Sequence, residues 1–145
     1  MTLVEASTKP QHIILQNIRS LSRNYDQFKV LLTQLQEPMA ICLTETWLNE
    51  NHNSNCFNFV NFKDMEICSR KKRGGGVAIY INKCYEHEKV SSIEINSMQI
   101  ITVKIKQYSD NLFLSCLYIP PSCVSDETFI RLENYLNNLV LGPTE

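Results

Sequence analysis

The sequence predicts an α/β fold of the α+β kind, a mixed β-sheet with flanking helices, and three observations carry the prediction. Near the amino terminus, two short apolar runs are separated by a stretch with helical periodicity. Downstream, two pairs of strand-like runs are joined by turns containing glycine, asparagine or aspartate. An amphipathic helix closes the chain.

The first strand is His12-Ile13-Ile14-Leu15-Gln16, ending at Asn17. Asn24, with Gln27 three residues on, has the form of a helix N-cap. Tyr25, Phe28, Leu31, Leu32 and Leu35 then recur at helical spacing until Pro38 stops the pattern. Met39-Ala40-Ile41-Cys42-Leu43 follows at once as the second strand. Strand, helix and strand with short connections form a crossover whose strands run parallel and end on one rim. That places Asn17 beside Glu45, the carboxylate of Thr44-Glu45-Thr46-Trp47-Leu48, at the carboxyl ends of neighbouring strands. Ligands of open α/β sheets bind at that end.

The polar, asparagine-rich stretch from Asn49 to Asn61 reads as a loop. Met65 to Ser69 and Val77-Ala78-Ile79-Tyr80-Ile81 then form a hairpin across Arg70-Lys71-Lys72-Arg73 and three glycines. Ile100 to Ile105 and Leu112 to Ile119 form a second hairpin across Ser109-Asp110-Asn111, ended by Pro120-Pro121. In the closing helix Ser125 is the cap and Asp126 and Glu127 suit the first turn. Phe129, Leu132, Leu136 and Leu139 make its apolar face, and Gly142-Pro143 ends it.

A chain of 145 residues is about one domain, and 43% hydrophobic with 20% charged residues is a globular composition. No run is long enough to span a membrane and residues 1–11 lack a secretory apolar core, so the expectation is an intracellular protein, nuclear or cytoplasmic. A net charge of -1 argues against nucleic-acid binding by bulk electrostatics, although a local patch could still bind. The six cysteines (42, 56, 68, 84, 116, 123) form no CxxC pair and are expected as free thiols packed as small core hydrophobes. The glycine triplet lacks the Gly-Lys-Ser/Thr of a nucleotide loop and reads as hairpin geometry. Arg70 to Arg73 read as a solvated tip that blunts a sheet edge, with a DNA contact as the alternative. Trp47 reads as core or loop packing. By position alone, Glu45 could also cap a strand or pair with a cation, and Asn17 could serve as a turn residue.

Four segments together resemble the endonuclease/exonuclease/phosphatase superfamily: Leu15-Gln16-Asn17-Ile18-Arg19-Ser20-Leu21, Leu43-Thr44-Glu45-Thr46-Trp47-Leu48, Arg73-Gly74-Gly75-Gly76-Val77-Ala78-Ile79 and Leu117-Tyr118-Ile119-Pro120-Pro121-Ser122. Within it they look most like the endonuclease domains at the amino termini of non-LTR retrotransposon polyproteins. The likeness runs from about Gln11 to Val140, leaving residues 1–10 as a tail and 11–145 as the domain portion. The resemblance implies a four-layer α/β sandwich of the DNase I-like type and phosphodiester hydrolysis with Mg²⁺ or Mn²⁺. It assigns Glu45 as metal ligand, Asn17 as the residue that helps fix metal and phosphate, and Tyr118 as phosphate support. Arg19 and Arg70, Lys71, Lys72 and Arg73 are candidate nucleic-acid contacts. The implied partners are DNA and a reverse transcriptase in the same polyprotein, with no membrane.

The family completes its site with Gly-Asp-x-Asn and Ser-Asp-His segments, and neither occurs here; His12, His52 and His87 lie outside the matching contexts. The expectation is therefore the amino-terminal half of the domain, holding metal weakly and not turning over substrate. In that architecture each half is expected to contribute one sheet, so this half alone is expected to bare a large apolar face and to aggregate, self-associate or be marginally stable. A non-catalytic module derived from such an element is the alternative function. A cellular phosphodiesterase acting on a lipid or inositol phosphate is a third, less favoured by the Thr-Glu-Thr-Trp-Leu and Arg-Gly-Gly-Gly contexts.

Overall fold

The run Ala40–Thr44 is buried along its whole length, and so is Val77–Ile81. Strands covered on both faces belong in the middle of a sheet with material packed above and below. The computed structural model describes residues 9–49, 52, 54–69 and 74–141. In order, these form β1 (Ile13–Asn17), α1 (Leu21–Thr33), β2 (Ala40–Thr44), β3 (Glu66–Cys68), β4 (Val77–Ile81), β5 (His87–Ile95), β6 (Met98–Lys106), β7 (Asn111–Tyr118) and α2 (Asp126–Leu141). Short 3-10 turns lie at Ser54–Phe57 and Pro121–Cys123.

Two sheets result, ordered β1-β2-β4-β3 and β5-β6-β7. β1 and β2 run parallel in the register Ile13↔Ala40 to Asn17↔Thr44, and the remaining pairs are antiparallel. Alternation along β2 and β4 divides the core in two. Ala40, Cys42, Val77, Ile79 and Ile81 meet Ile101, Val103, Ile105 and Cys116 of the second sheet. Ile41, Leu43, Ala78 and Tyr80 face the other way, onto Leu21 and Phe28 of α1 and onto Phe59 and Phe62. On the outer face of the second sheet, the Tyr135 hydroxyl of α2 bonds Ser91 and Thr102, each at 2.5 Å, and Thr102 bonds Ser115 at 2.7 Å. Helix, sheet, sheet and helix make four layers, the architecture expected.

Several expectations need correction. The chain supplies both sheets, so the inner face is not bare along its length: β7, β6 and β5 cover β2, β4 and β3. What remains uncovered is the face of β1, where Ile13 and Leu15 share the side of Ala40 and Cys42 and Leu15 is 69% exposed. β5 is an element the sequence pattern does not announce. It pairs with β6 through the two-residue turn Asn96-Ser97, whose φ values of 51° and 66° belong to a tight hairpin of the primed type.

Helix α1 begins at Leu21 with Ser20 as its cap, the Ser20 Oγ accepting from Arg23 N at 3.3 Å. Asn24 sits inside the first turn and donates to the Ile18 and Arg19 carbonyls at 2.7 and 2.9 Å. Burial of Leu21 fixes the earlier start. In α2, Thr128, Leu132, Tyr135 and Leu139 are the covered residues while Phe129 and Leu136 stay exposed, because the sheet beneath offers hydroxyls to Tyr135. Gly142-Pro143 lies outside the described residues. All six cysteines are free; Cys42, Cys68 and Cys116 are buried, but Cys56 and Cys84 are exposed rather than core. Among the described residues no helix is long and apolar enough to cross a membrane.

Tyr80 gives the fold a measurable pH response. Its ring is fully buried and its hydroxyl donates to the Phe57 carbonyl at 2.7 Å. Burial, with a smaller contribution from Tyr25, pushes the phenol well above its ordinary range. A raised native pKa means the fold holds the neutral phenol; its contribution is complete below about pH 10 and declines as pH climbs past the unfolded value. Tyr80→Phe is expected to cost about 1 kcal/mol at neutral pH and to flatten the alkaline decline. Urea titrations of both proteins at about pH 8 and about pH 11 check this; equal alkaline losses would contradict it.

Candidate metal and phosphate site at the strand ends

Parallel pairing of β1 and β2 sets the geometry of the rim. Because Asn17 lies opposite Thr44, the residues that leave the two strands emerge together. The Asn17 Nδ2 donates to Glu45 Oε2 at 2.5 Å, joining side chains 28 positions apart in sequence. With the amide turned this way, Asn17 Oδ1 and Glu45 Oε1 are two further hard oxygens at this rim.

The backbone around them is cross-braced. Ile18 N donates to Thr44 O, Ser20 N to Glu45 O and Leu21 N to Thr46 O, all at 2.9 Å. From the opposite side Gly76 O accepts from Thr46 N at 3.2 Å and Gly75 O from Trp47 N at 2.9 Å. Arg19, Ser20, Glu45 and Trp47 have φ values of 47°, 82°, 53° and 56°. Left-handed backbone costs roughly 1–2 kcal/mol at a residue other than glycine, so this segment is strained and the bracing holds it. Gly76 makes the close approach possible: a Cβ there would stand 2.4 Å from Thr46 Oγ1.

Beneath the rim, Gly76 N donates at 2.7 Å to Oε1 of the fully buried Gln99, whose partner across the ladder is Tyr118. Tyr118 is thus carried to the same rim, partly buried against the core between the sheets. Cys116, two residues earlier, contacts the Leu43 carbonyl at 3.8 Å. Its hydrogen bond with Cys42, and then burial, push that thiol upward, so it stays neutral.

On the β1 side, a groove of about 300 Å³ opens next to Asn17. Gln16, Arg19, Asn24 and Gln27 line it together with Phe28 and Leu31. Arg19 is exposed there. Arg70, Lys71, Lys72 and Arg73 lie outside the described residues.

The three histidines are engaged elsewhere. His12 Nε2 meets the Gln36 carbonyl at 2.9 Å, His52 Nδ1 accepts from Asn49 N at 3.0 Å, and His87 Nε2 meets Glu66 Oε2 at 3.0 Å between the sheets. Among the described residues no three His, Cys, Asp or Glu side chains gather as a metal cage. One carboxylate and one amide oxygen do suit a hard divalent cation that keeps most of its waters, as Mg²⁺ and Mn²⁺ do. They do not suit a structural zinc.

Sequence reasoning brings Asn17 and Glu45 together but overlooks Gln99 and misjudges Trp47. An inward-facing glutamine between Met98 and Ile100 is the available signal for Gln99. Trp47 is 42% exposed beside Glu45 rather than packed inside.

No family model and no curated protein matches the chain. Among solved structures it is similar to TDP2 of D. rerio, crystallised with a single-strand DNA product, at a TM-score of 0.60 and 16% sequence identity. The match covers 92% of this chain and 56% of that one, so the chain spans little more than half of its neighbour's length. Such a likeness speaks to architecture alone. The two-sheet sandwich with a helix on each side is the DNase I-like fold.

Proposed function

We propose that the chain is the amino-terminal part of a metal-dependent phosphodiesterase domain, most like the DNA-nicking endonuclease of a non-LTR retrotransposon. In this reading the part binds a divalent cation weakly and does not hydrolyse its substrate alone. The observation that carries it is the hydrogen bond from Asn17 to Glu45 at the ends of two parallel strands, held by a strained and braced backbone. The likeness to a fold neighbour held with single-strand DNA supports a polynucleotide substrate. The Thr-Glu-Thr-Trp-Leu and Arg-Gly-Gly-Gly contexts support the retroelement origin, with a reverse transcriptase as partner and an intracellular setting.

Glu45 and Asn17 would hold Mg²⁺ or Mn²⁺, which when bound neutralises charge developing on the phosphate and leaving oxygen. Glu45 supplies the charge that attracts the cation. Asn17 fixes the carboxylate's orientation through its amide hydrogen and offers its own oxygen. Tyr118 supports the phosphate from the β7 side, and Arg19 supplies positive charge along the groove. No Gly-Asp-x-Asn or Ser-Asp-His segment occurs to orient a water or protonate the leaving oxygen. That absence favours, for these residues alone, the reading as a non-catalytic module.

Titration with Mn²⁺, read by the loss of its free electron-spin signal, tests the proposal. Wild type should bind with a dissociation constant in the weak, roughly millimolar range, and Glu45→Gln should lose binding at least tenfold. No binding by wild type, or equal binding by the variant, overturns the site. Supercoiled plasmid with Mg²⁺ should stay intact; nicking that Glu45→Ala abolishes would overturn the inactivity.

A further inference from the structure

We infer that Trp47 is a stacking platform for an unpaired nucleobase next to the phosphate held at Glu45, which makes single-stranded or frayed nucleic acid the preferred ligand. The inference rests on the phosphodiesterase reading and deepens it.

Trp47 is the chain's only tryptophan, and its exposure is not that of a frayed loop. Its neighbours Thr46 and Leu48 are both buried, its amide is bonded to the Gly75 carbonyl, and its φ of 56° is one that a bulky side chain seldom adopts. The backbone is thus committed to a strained turn that leaves a large aromatic ring facing water, two positions from the site carboxylate. At 42% exposed, the residue leaves a large part of its aromatic surface for a ligand's aromatic face.

The sheet order places Trp47 along the rim. From β1 to β4 the rim presents the Arg19 groove, then Asn17 with Glu45, then Trp47 braced on Gly75. A phosphodiester strand laid across Glu45 therefore meets cation and amides on one side and an indole on the other. An indole stacks on any base whose face is free, and bases paired within a duplex have no free face to offer. The side chains of Gln16 and Gln27 on the far side suit the polar backbone of the same strand.

Fluorescence of this single indole provides the test, with no need for turnover. Titration of the full chain with an oligothymidylate of about ten nucleotides in Mn²⁺ should quench its emission, with an affinity matching the anisotropy of the labelled oligonucleotide. Trp47→Ala should weaken binding roughly 5- to 150-fold, corresponding to about 1–3 kcal/mol per stacked base, and Trp47→Phe should restore most of it. An abasic backbone of the same length should bind more weakly, without quenching and equally well to wild type and Trp47→Ala. Mn²⁺ binding and the melting temperature should not move in either variant. Oligonucleotide binding without quenching, equal affinity in Trp47→Ala, or tighter binding to blunt duplex overturns the platform while leaving the cation site standing. Loss of Mn²⁺ binding in wild type overturns the phosphodiesterase reading itself.

Discussion

Phe59→Ala is expected to destabilise the protein by about 3–5 kcal/mol, although Phe59 lies in a stretch that is rich in asparagine and looks like dispensable loop. The ring is 4% exposed, with its centroid 4.7 Å from that of Tyr80, 5.4 Å from Tyr25 and 5.6 Å from Phe28. These contacts join β4 to α1 through the loop, and two of the pairs are edge-to-face, a favoured arrangement of aromatic quadrupoles. The loop is bound by more than packing. Tyr25 donates its hydroxyl to the Asn58 carbonyl, Tyr80 donates to Phe57, and the Asn61 amide donates to Glu37 at 2.8 Å. Deleting the ring would leave a cavity against the outer face of the first sheet that these tethers prevent from collapsing. Against a total stability of about 5–15 kcal/mol, the loss would be a large fraction. Val60, next in sequence and 82% exposed, is the control, and Val60→Ala should stay within about 0.5 kcal/mol. Urea midpoints at constant slope measure both, and a Phe59→Ala effect below about 1 kcal/mol would mean the loop is not part of the core.

The same loop shows where sequence reading succeeds and where it stops. β1, α1 and β2 are legible because each carries a regular pattern, two apolar runs flanking a helical stripe. Once those are placed, the meeting of Asn17 and Glu45 follows from the handed crossover alone. Phe57, Phe59 and Phe62 follow no period, so only the tertiary structure shows that three aromatics among asparagines cover a sheet. β5 is hidden for a related reason. As the edge of the second sheet it carries His87, Glu88, Lys89, Ser91, Ser92 and Glu94, and its one local mark is Asn96 in a two-residue turn. The helix start is obscured because Asn24 and Gln27 imitate a capping pair, whereas the Asn24 amide is spent on the turn below α1. Assignment of the second hairpin to its own sheet depends on contacts between β7 and β2, and no local pattern reports those. Trp47 illustrates the remaining limit: apolarity predicts burial, and only the left-handed turn explains why this ring faces outward.

That turn depends on Gly76, and Gly76→Ala should both destabilise the fold and loosen the cation site. A Cβ at this position meets Thr46 Oγ1 at 2.4 Å, far inside van der Waals contact, and the φ of +92° penalises any side chain. Conformational cost of about 1–2 kcal/mol and overpacking of about 1–3 kcal/mol together suggest a loss of roughly 2–5 kcal/mol. Relief by backbone movement is obstructed, since the Gly76 amide is bonded to buried Gln99 and its carbonyl to Thr46 N. The two components can be separated. Gly74 has a similar φ of +85° and an added Cβ there would meet nothing within 4 Å, so Gly74→Ala should show the conformational part alone, about 1–2 kcal/mol. In a Gly76→Ala/Thr46→Ala pair the Oγ1 clash is gone and the Thr46 Cβ, at 3.7 Å, makes ordinary contact. The double variant should therefore recover about 1–3 kcal/mol of the loss relative to additivity. The same cycle read by Mn²⁺ binding connects the brace to the site. Any shift of Thr46 carries Glu45 away from Asn17, so Gly76→Ala should weaken the cation while Gly74→Ala does not. Equal stability losses at the two glycines would show that strained backbone alone governs the rim, and unchanged Mn²⁺ affinity in Gly76→Ala would show that the brace does not position Glu45.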